Sequence, residues 1–376
     1  MNVVETTRSL VRIPSVNPGY DPESPGEQGM ADWLLAWART HAFEAVTEEV
    51  FPGRCNVILS LRNGVGPHLV LNGHTDTVAA NEMTIPPFGA ELREGRVWGR
   101  GAADMKGSLG CMLHALLMLR DDVARWRGTV TLACVVDEEL GFGGIRHFLK
   151  ANPACDFAIT GEPTRFEVVR GCKGCLRFYV RARGRAAHSS TPERGLSAIS
   201  AMALAVTAMD RYFAEFLSTV THPSLGYSTG SVGLIRGGSG VNIVPEYCET
   251  NVDVRLVPGQ SWQDTYADIQ RMVENQQKEI RWEFDPHPLA DPPFCREADD
   301  PFVRGVCAAV GRTESQVVNF SCDASKIAAA GIPSLIFGPG DIAQAHTEDE
   351  SIAIEDLHRG VEAYVRITEN LLRIKK

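Results

Sequence analysis

The sequence predicts an α/β protein: a larger domain with a mostly parallel sheet flanked by helices, and a smaller ferredoxin-like α+β domain inserted into it. At 376 residues the chain exceeds the usual size of one domain. Continuous apolar segments alternate with helical patterns in the first part, which is typical of a sheet buried on both faces. From about Cys172 the order changes to β-α-β-β-α-β, which is that of a ferredoxin-like module.

The elements follow from hydrophobic periodicity. In the first part, apolar strands are predicted at 68–72, 129–136 and 157–160, with a helix over 105–120. The second part is predicted to contain a strand around 176–181, a helix over 195–216, strands at 231–235 and 250–256, a helix at 262–277 and a strand at 280–284. A proline-rich stretch, 285–294, is predicted to be a linker, after which come a helix at 324–330, a strand at 334–337 and a helix from about 354. The larger domain is therefore assigned to 1–171 and 287–376, and the inserted domain to 172–286.

Composition excludes several classes of function. The 37 basic and 47 acidic residues give a net charge of −10, and no basic run is present. Neither nucleic acid nor an anionic membrane surface is therefore expected as a partner. The N-terminal sequence does not resemble a signal peptide and no segment approaches the roughly 18 apolar residues of a membrane span. Ten scattered cysteines are then expected to be reduced thiols in the cytoplasm, with Cys172 and Cys175 serving as packing residues.

Acidic and histidine residues follow the ends of the predicted strands. Ligands of open α/β sheets gather outside the carboxyl ends of the strands. Five separate segments bring such side chains to that edge: His74 with Asp76, Asp104, Glu138 with Glu139, Glu162, and His346. Their joint placement favours a metal site, although each segment alone would be weak evidence for one.

The glycine-rich segment 99–107 has an alternative interpretation as a phosphate-binding loop. However, the order Gly-x-x-x-x-Gly-Lys-Ser/Thr is absent, and Asp104 at its centre would repel a phosphate.

Two imidazoles and several carboxylates suit zinc or a related ion, and a bridging carboxylate would allow two ions about 3.5–4 Å apart. Asp76 is expected to accept the second ring N–H of His74. Of Glu138 and Glu139, one would bind metal and the other would take a proton from water.

Several motifs resemble those of the dinuclear zinc amidohydrolases, a group that includes acetylornithine deacetylases, succinyl-diaminopimelate desuccinylases, aminoacylases and related carboxypeptidases. The motifs run in order along almost the whole chain: HTDTV (74–78), GRGAADMKG (99–107), DEELG (137–141), GEPT (161–164), AAHSSTP (186–192) and GPGDIAQAHTEDE (338–350). The resemblance implies a catalytic domain interrupted by a lid domain that also forms a homodimer.

The same resemblance implies roles for individual residues. Two divalent metal ions, zinc or substituting cobalt, would be bound by His74, Asp104 and Glu162 on one side and by Asp104, Glu139 and His346 on the other. Asp104 would bridge them, Glu138 would be the general base, and Asp76 would support His74. In the lid, the resemblance implies that His188 stabilises the oxyanion in the active site of a partner subunit, and that Asn242 and Arg255 contact the substrate.

The implied reaction is hydrolysis of the amide bond of a small N-acyl amino acid by a metal-bound hydroxide. GEPT (161–164) and GPGDIAQAH (338–346) are most similar to acetylornithine deacetylases, which act in arginine biosynthesis. A desuccinylase or a dipeptide-cleaving metallo-carboxypeptidase remains open. A non-catalytic binding scaffold is disfavoured because the set of ligands and base is complete, and a phosphate-transferring enzyme is disfavoured by the missing phosphate loop.

Overall fold

The computed structural model describes residues 1–151 and 155–373, and internal contacts divide the chain into two compact units. Unit 1 comprises Met1–Arg170, Arg296–Gln316 and Cys322–Lys376, and unit 2 comprises Gly171–Cys295 and Val317–Ser321.

The elements are numbered in chain order within the described residues. The helices are α1 (Val3–Val11), α2 (Gln28–Thr40), α3 (Gly107–Asp121), α4 (Gly143–Ala151), α5 (Ala198–Glu215), α6 (Trp262–Glu274), α7 (Pro301–Val310), α8 (Asp323–Ala329) and α9 (Ile354–Leu371). The strands are β1 (Glu44–Phe51), β2 (Arg54–Asn63), β3 (His68–His74), β4 (Glu91–Arg93), β5 (Arg96–Trp98), β6 (Gly128–Val135), β7 (Phe157–Thr160), β8 (Val169–Cys172), β9 (Gly174–Arg183), β10 (Ala187–His188), β11 (Thr221–His222), β12 (Gly226–Tyr227), β13 (Thr229–Gly237), β14 (Ile243–Val244), β15 (Tyr247–Leu256), β16 (Arg281–Phe284), β17 (Leu289–Asp291), β18 (Phe294–Cys295), β19 (Gln316–Val318), β20 (Ser334–Ile336) and β21 (Ser351–Ala353).

Unit 1 is built on a sheet whose order is β1-β2-β6-β3-β7-β20. The central strands β6, β3, β7 and β20 are mutually parallel, whereas β1 and β2 form an antiparallel hairpin at one side. Leu69, Val70 and Leu71 of β3 are all buried, because helices cover both faces of a parallel sheet. The predicted α/β class with a mainly parallel sheet is confirmed.

Unit 2 contains an antiparallel sheet of order β13-β15-β9-β16 with helices α5 and α6. Its main elements occur along the chain as β9-α5-β13-β15-α6-β16, so the predicted ferredoxin-like module is confirmed. Alternate residues of β9 and β15 are buried, and they pack in the core of this unit with apolar residues of α5 and α6.

Two local predictions were wrong. The stretch 285–294 is not a simple linker, because Leu289–Asp291 pairs with Arg177, Leu176 and Cys175 of β9. The helix predicted from residue 105 begins at Gly107 instead, since Asp104 and Met105 have non-helical backbone angles.

Candidate metal centre

The carboxyl ends of three neighbouring parallel strands meet at one edge of the unit 1 sheet. His74 is the last residue of β3, Glu138 and Glu139 follow β6, and Glu162 follows β7. Asp104 reaches the same place from the irregular turn that precedes α3. Apolar strands end here and polar side chains begin, so the sheet itself assembles a polar site.

The first candidate ligand group consists of His74, Asp104 and Glu162, whose ligand atoms all lie within 4.8 Å of one another. All three residues are buried, and His74 Nε2 lies 3.0 Å from Asp104 Oδ1. Glu162 Oε1 is buried without a hydrogen-bond partner among the described residues. The close packing of Gly338 helps to hold this segment, because a Cβ there would lie 2.6 Å from the carbonyl oxygen of Glu162.

The second candidate group consists of Asp104, Glu139 and His346, again with ligand atoms within 4.8 Å of one another. His346 Nε2 lies 3.3 Å from Asp104 Oδ2 and 3.1 Å from Glu139 Oε2. Asp104 therefore faces His74 with one carboxylate oxygen and His346 with the other. This arrangement suits a carboxylate that bridges two cations.

Asp76 supports His74 in a different way from that predicted. The Nδ1 atom of His74 lies 3.0 Å from the main-chain carbonyl oxygen of Asp76, but 3.6 Å from its carboxylate Oδ1. The carboxylate instead accepts the main-chain N–H groups of Glu138 and Glu139, at 3.0 and 3.1 Å. Asp76 thus orients the imidazole of His74 through its backbone. Through its side chain it holds the turn that carries Glu138 and Glu139, which we call the glutamate turn.

Glu350 holds the turn that carries Asp104. Its carboxylate accepts the main-chain N–H groups of Gly101, Ala103 and Asp104 at 2.9, 2.9 and 3.0 Å. Arg100, which is also buried, donates to the same carboxylate at 2.8 Å. The irregular backbone at Asp104 is therefore fixed by a buried side chain distant in sequence.

Glu138 is buried, and the charges of His74, Glu162 and Glu139 act on its carboxyl group. Burial, together with the negative charges of Glu162 and Asp323, raises the pKa of the Glu138 carboxyl well above its usual value. Burial and the charge of Asp104 raise the pKa of Glu139 to about 7. A carboxyl group with a raised pKa, placed beside ligand groups, has the properties of a general base that holds a proton during a reaction.

The residues fit divalent metal ions. Buried carboxylates crowd together at the sheet edge, and Glu139 Oε1 and Glu162 Oε1 lack hydrogen-bond partners among the described residues. Buried carboxylates are costly unless a cation or donor compensates them. Two imidazoles with three carboxylates form a nitrogen and oxygen donor set of the kind that zinc and its neighbours prefer.

The remaining predicted site residues lie in unit 2. His188 is exposed in β10, pairs with Ile243 of β14, and has its Nδ1 atom 2.7 Å from Ser190 Oγ. Asn242, which precedes β14, is exposed, and its carbonyl oxygen accepts the Ser189 N–H. Arg255 on β15 donates to both carboxylate oxygens of Asp253, at 2.7 and 3.1 Å.

The prediction from sequence missed two buried acids of the site. Glu350 lies only four residues after His346, and its position in an acidic motif was its one visible signal. Asp323 begins α8 and is 1% exposed. Burial raises the pKa of Asp323 to about 7, and no pattern in its own segment distinguishes it from an ordinary helix N-terminal acid.

None of the described helices combines the length and apolar character needed to cross a membrane.

Comparison with known proteins gives consistent matches along the chain. The acetylornithine deacetylase of Proteus mirabilis is 30% identical, over 99% of this chain and 97% of that protein. An M20 family metallo-carboxypeptidase from Sulfolobus solfataricus superposes with a TM-score of 0.83 at 18% identity, over 99% of each chain. A Bacillus subtilis protein described as a dinuclear metal-binding peptidase of the M20 family has a TM-score of 0.73 at 15% identity, over 98% of this chain and 97% of that one. The model of peptidase family M20/M25/M40 matches residues 70–370, and the chain therefore belongs to this family of hydrolases.

Proposed function

We propose that the protein is a zinc-dependent amidohydrolase that removes the acyl group from a small N-acyl amino acid, with N-acetylornithine as the leading substrate. The observation that carries the proposal is the pair of ligand groups that share Asp104. The curated relatives that bear the name acetylornithine deacetylase support the substrate, since they match this chain over nearly its whole length.

His74, Asp104 and Glu162 would hold one ion, and Asp104, Glu139 and His346 the other. When bound, two such ions would lower the pKa of a water molecule and polarise the amide carbonyl. Cobalt suits the same nitrogen and oxygen donors as zinc. Main-chain N–H groups bound to Glu350 and Asp76 fix Asp104, Glu138 and Glu139 before any ligand arrives.

Glu138 would take the proton from the attacking water and return it to the leaving amine. Its buried carboxyl has a raised pKa, which suits a group that must first accept and then release a proton near neutral pH. Glu139, whose Oε2 lies 3.1 Å from His346 Nε2, faces the second ligand group instead. The neighbouring glutamates therefore have different roles.

Unit 2 would act as a lid and dimerisation domain. His188 would donate to the developing oxyanion, and Asn242 and Arg255 would bind the substrate. Arg255 donates to Asp253 through Nε and Nη2, and its guanidinium group has five N–H donors, so N–H groups beyond those two can donate to a substrate carboxylate.

We further propose a homodimer through unit 2. Strand β13 lies at the edge of its sheet, and its Leu234 and Ile235 side chains are 53% and 55% exposed. An open edge with apolar side chains is suited to pairing with a second copy. The variant Ile235→Asp should then shift the sedimentation coefficient to that of a monomer, whereas a sedimentation profile identical to the parent would contradict this interface.

The cytoplasm is the proposed location. None of the ten cysteines, all of which lie in the part of the chain that the structure describes, forms a disulfide, as expected in a reducing compartment.

The decisive experiment is a substrate screen with zinc- or cobalt-loaded protein. Release of free amine would be measured from N-acetyl amino acids, N-succinyl amino acids and dipeptides, with metal-stripped protein as the control. The proposal predicts metal-dependent release, fastest from N-acetylornithine. Fastest turnover of a succinylated substrate or a dipeptide would reassign the enzyme within its family, and no release from any linear amide would reject the proposed activity.

A further inference from the structure

The side-chain amide of Asn17 lies between two buried carboxylates at the base of the candidate site. Asn17 is fully buried, and its Nδ2 atom donates to Asp76 Oδ2 at 2.8 Å and to Asp137 Oδ1 at 3.0 Å. A carboxamide NH₂ group has two hydrogens, so these two bonds use both. The Oδ1 atom accepts the N–H of Gly19, which fixes the orientation of the amide.

The first of these carboxylates positions the glutamate turn directly. Asp76 accepts the N–H of Glu138 on Oδ1 and the N–H of Glu139 on Oδ2. The bond from Asn17 is therefore the third hydrogen bond that the Asp76 carboxylate accepts. The other two come from the main chain of Glu138, the proposed base, and Glu139, a proposed ligand.

The second carboxylate belongs to Asp137, where β6 gives way to this turn. The φ angle of Asp137 is 67°, in the left-handed region that residues other than glycine adopt uncommonly. Its Oδ2 accepts the N–H of Gly143 at 3.1 Å, and its own N–H donates to Glu27 Oε1 at 3.3 Å. The left-handed conformation is thus maintained by side-chain bonds, and the Asn17 bond to Oδ1 is one of them.

A partly buried ion pair, Arg54 with Glu27, completes the surroundings. Arg54 donates to both carboxylate oxygens of Glu27 at 2.6 Å and reaches Asp137 Oδ1 at 3.3 Å. One cation thus faces Glu27 and Asp137, while the neutral amide of Asn17 separates Asp137 from Asp76. A carboxylate in place of that amide would remove both donors and add a like charge between the two acids.

We propose that Asn17 is a positioning residue, which sets the placement of Glu138 and Glu139 through its bonds to Asp76 and Asp137. Asn17 does not itself contact a ligand atom or the base. Its effect is therefore expected on turnover and on the binding of the metal ion held by Glu139, with little change in KM. The inference rests on the proposed function for its effect on turnover, but its effect on metal binding requires no substrate.

The test compares Asn17→Asp and Asn17→Ala with the parent protein and with Asn370→Asp. Asn370 is a matched control, because its Nδ2 donates to Gly305 O between α7 and α9 and contacts no site residue. Zinc affinity would be measured by calorimetry, the ligand field by the visible spectrum of cobalt-loaded protein, and folding by thermal unfolding. Loss of support for a ligand or base of this kind reduces metal affinity or activity by about 10–100-fold.

In the Asn17→Asp variant, kcat and the affinity for one of the two zinc ions should each fall by about 10–100-fold. The Asn17→Ala variant should show a smaller fall, and the cobalt spectrum should change in both variants. Asn370→Asp should retain the parental spectrum and affinity whatever its melting temperature. Folded Asn17 variants with parental spectrum, affinity and kcat would overturn the proposal. Failure of both Asn17 variants to fold would also overturn it, because Asn17 would then act on the fold and not on the site.

A parent protein that binds two ions but hydrolyses no amide would instead count against the proposed function. In that case the spectral and calorimetric comparison of the Asn17 variants would still decide the role of Asn17.

Discussion

The substitution Glu350→Gln probes the support of the turn that carries Asp104. The Glu350 carboxylate accepts three main-chain N–H groups and pairs with buried Arg100. Replacement by alanine would leave the three N–H groups and the Arg100 side chain without this partner. At about 1–3 kcal/mol for each unsatisfied donor and about 3–5 kcal/mol for the unpaired charge, the loss would approach the whole stability of a typical domain.

Glutamine is therefore the informative replacement. Its carbonyl oxygen can still accept the N–H groups of Ala103 and Asp104, but its NH₂ group cannot accept from Gly101 or pair with Arg100. We expect a loss of about 3–5 kcal/mol in the free energy of unfolding, dominated by the broken buried pair. Weaker zinc binding should accompany it, because the turn at Asp104 loses part of its support.

Urea unfolding followed by circular dichroism measures the stability, and calorimetry measures the zinc affinity. The control is Glu91→Gln, since Glu91 and Arg93 form an exposed pair at 3.9 Å whose loss should cost about 0–1 kcal/mol. A loss below about 1 kcal/mol for Glu350→Gln, equal to that of the control, would refute the reasoning that this buried pair organises the turn.

Three further predictions address the base, the lid and the pH dependence of stability. Glu138→Ala should keep the parental zinc content while turnover falls by about 10²–10⁴-fold, and retained hydrolysis would exclude Glu138 as the base. His188→Ala should lower turnover by about 10²-fold at constant metal occupancy, and unchanged turnover would make His188 merely structural. Burial lowers the pKa of His114 from 6.5 to about 4, so the unfolded state binds a proton in that interval that the folded state does not. The folded state should therefore lose stability as pH falls from about 6.5 to 4, by on the order of 1 kcal/mol relative to His114→Gln, which can still bond to Thr6 Oγ1. Urea unfolding across that pH range would show parallel curves for the two proteins if this explanation were wrong.

Much of the fold was predictable because its strands are short apolar segments with clear ends. The strand predicted at 157–160 agrees with β7, and residues 68–72 and 129–136 correspond closely to β3 and β6. The hairpin of β1 and β2 was not predicted. Half of the eight residues of β1 are polar and all eight are at least partly exposed, so its hydrophobic pattern is weak.

The grouping of candidate ligands was predictable from the ends of parallel strands, which places His74 and Glu162 at one edge without any knowledge of contacts. The hydrogen bonds that hold these ligands and the base in place were not predictable from the sequence. Glu350 contacts a turn about 250 positions earlier in the chain, and Asn17 bonds to Asp137 across 120 positions. Residue type and local spacing contain no information about such pairs, since they depend on the packing of the completed fold.

The most direct test of the two-metal site is a crystal structure of zinc-loaded protein with anomalous diffraction data collected at the zinc absorption edge. The structure predicts two anomalous peaks on either side of the Asp104 carboxylate, one beside His74 and Glu162 and the other beside Glu139 and His346. The absence of anomalous density from this site, or a single peak at another place in the protein, would contradict the proposed two-metal site.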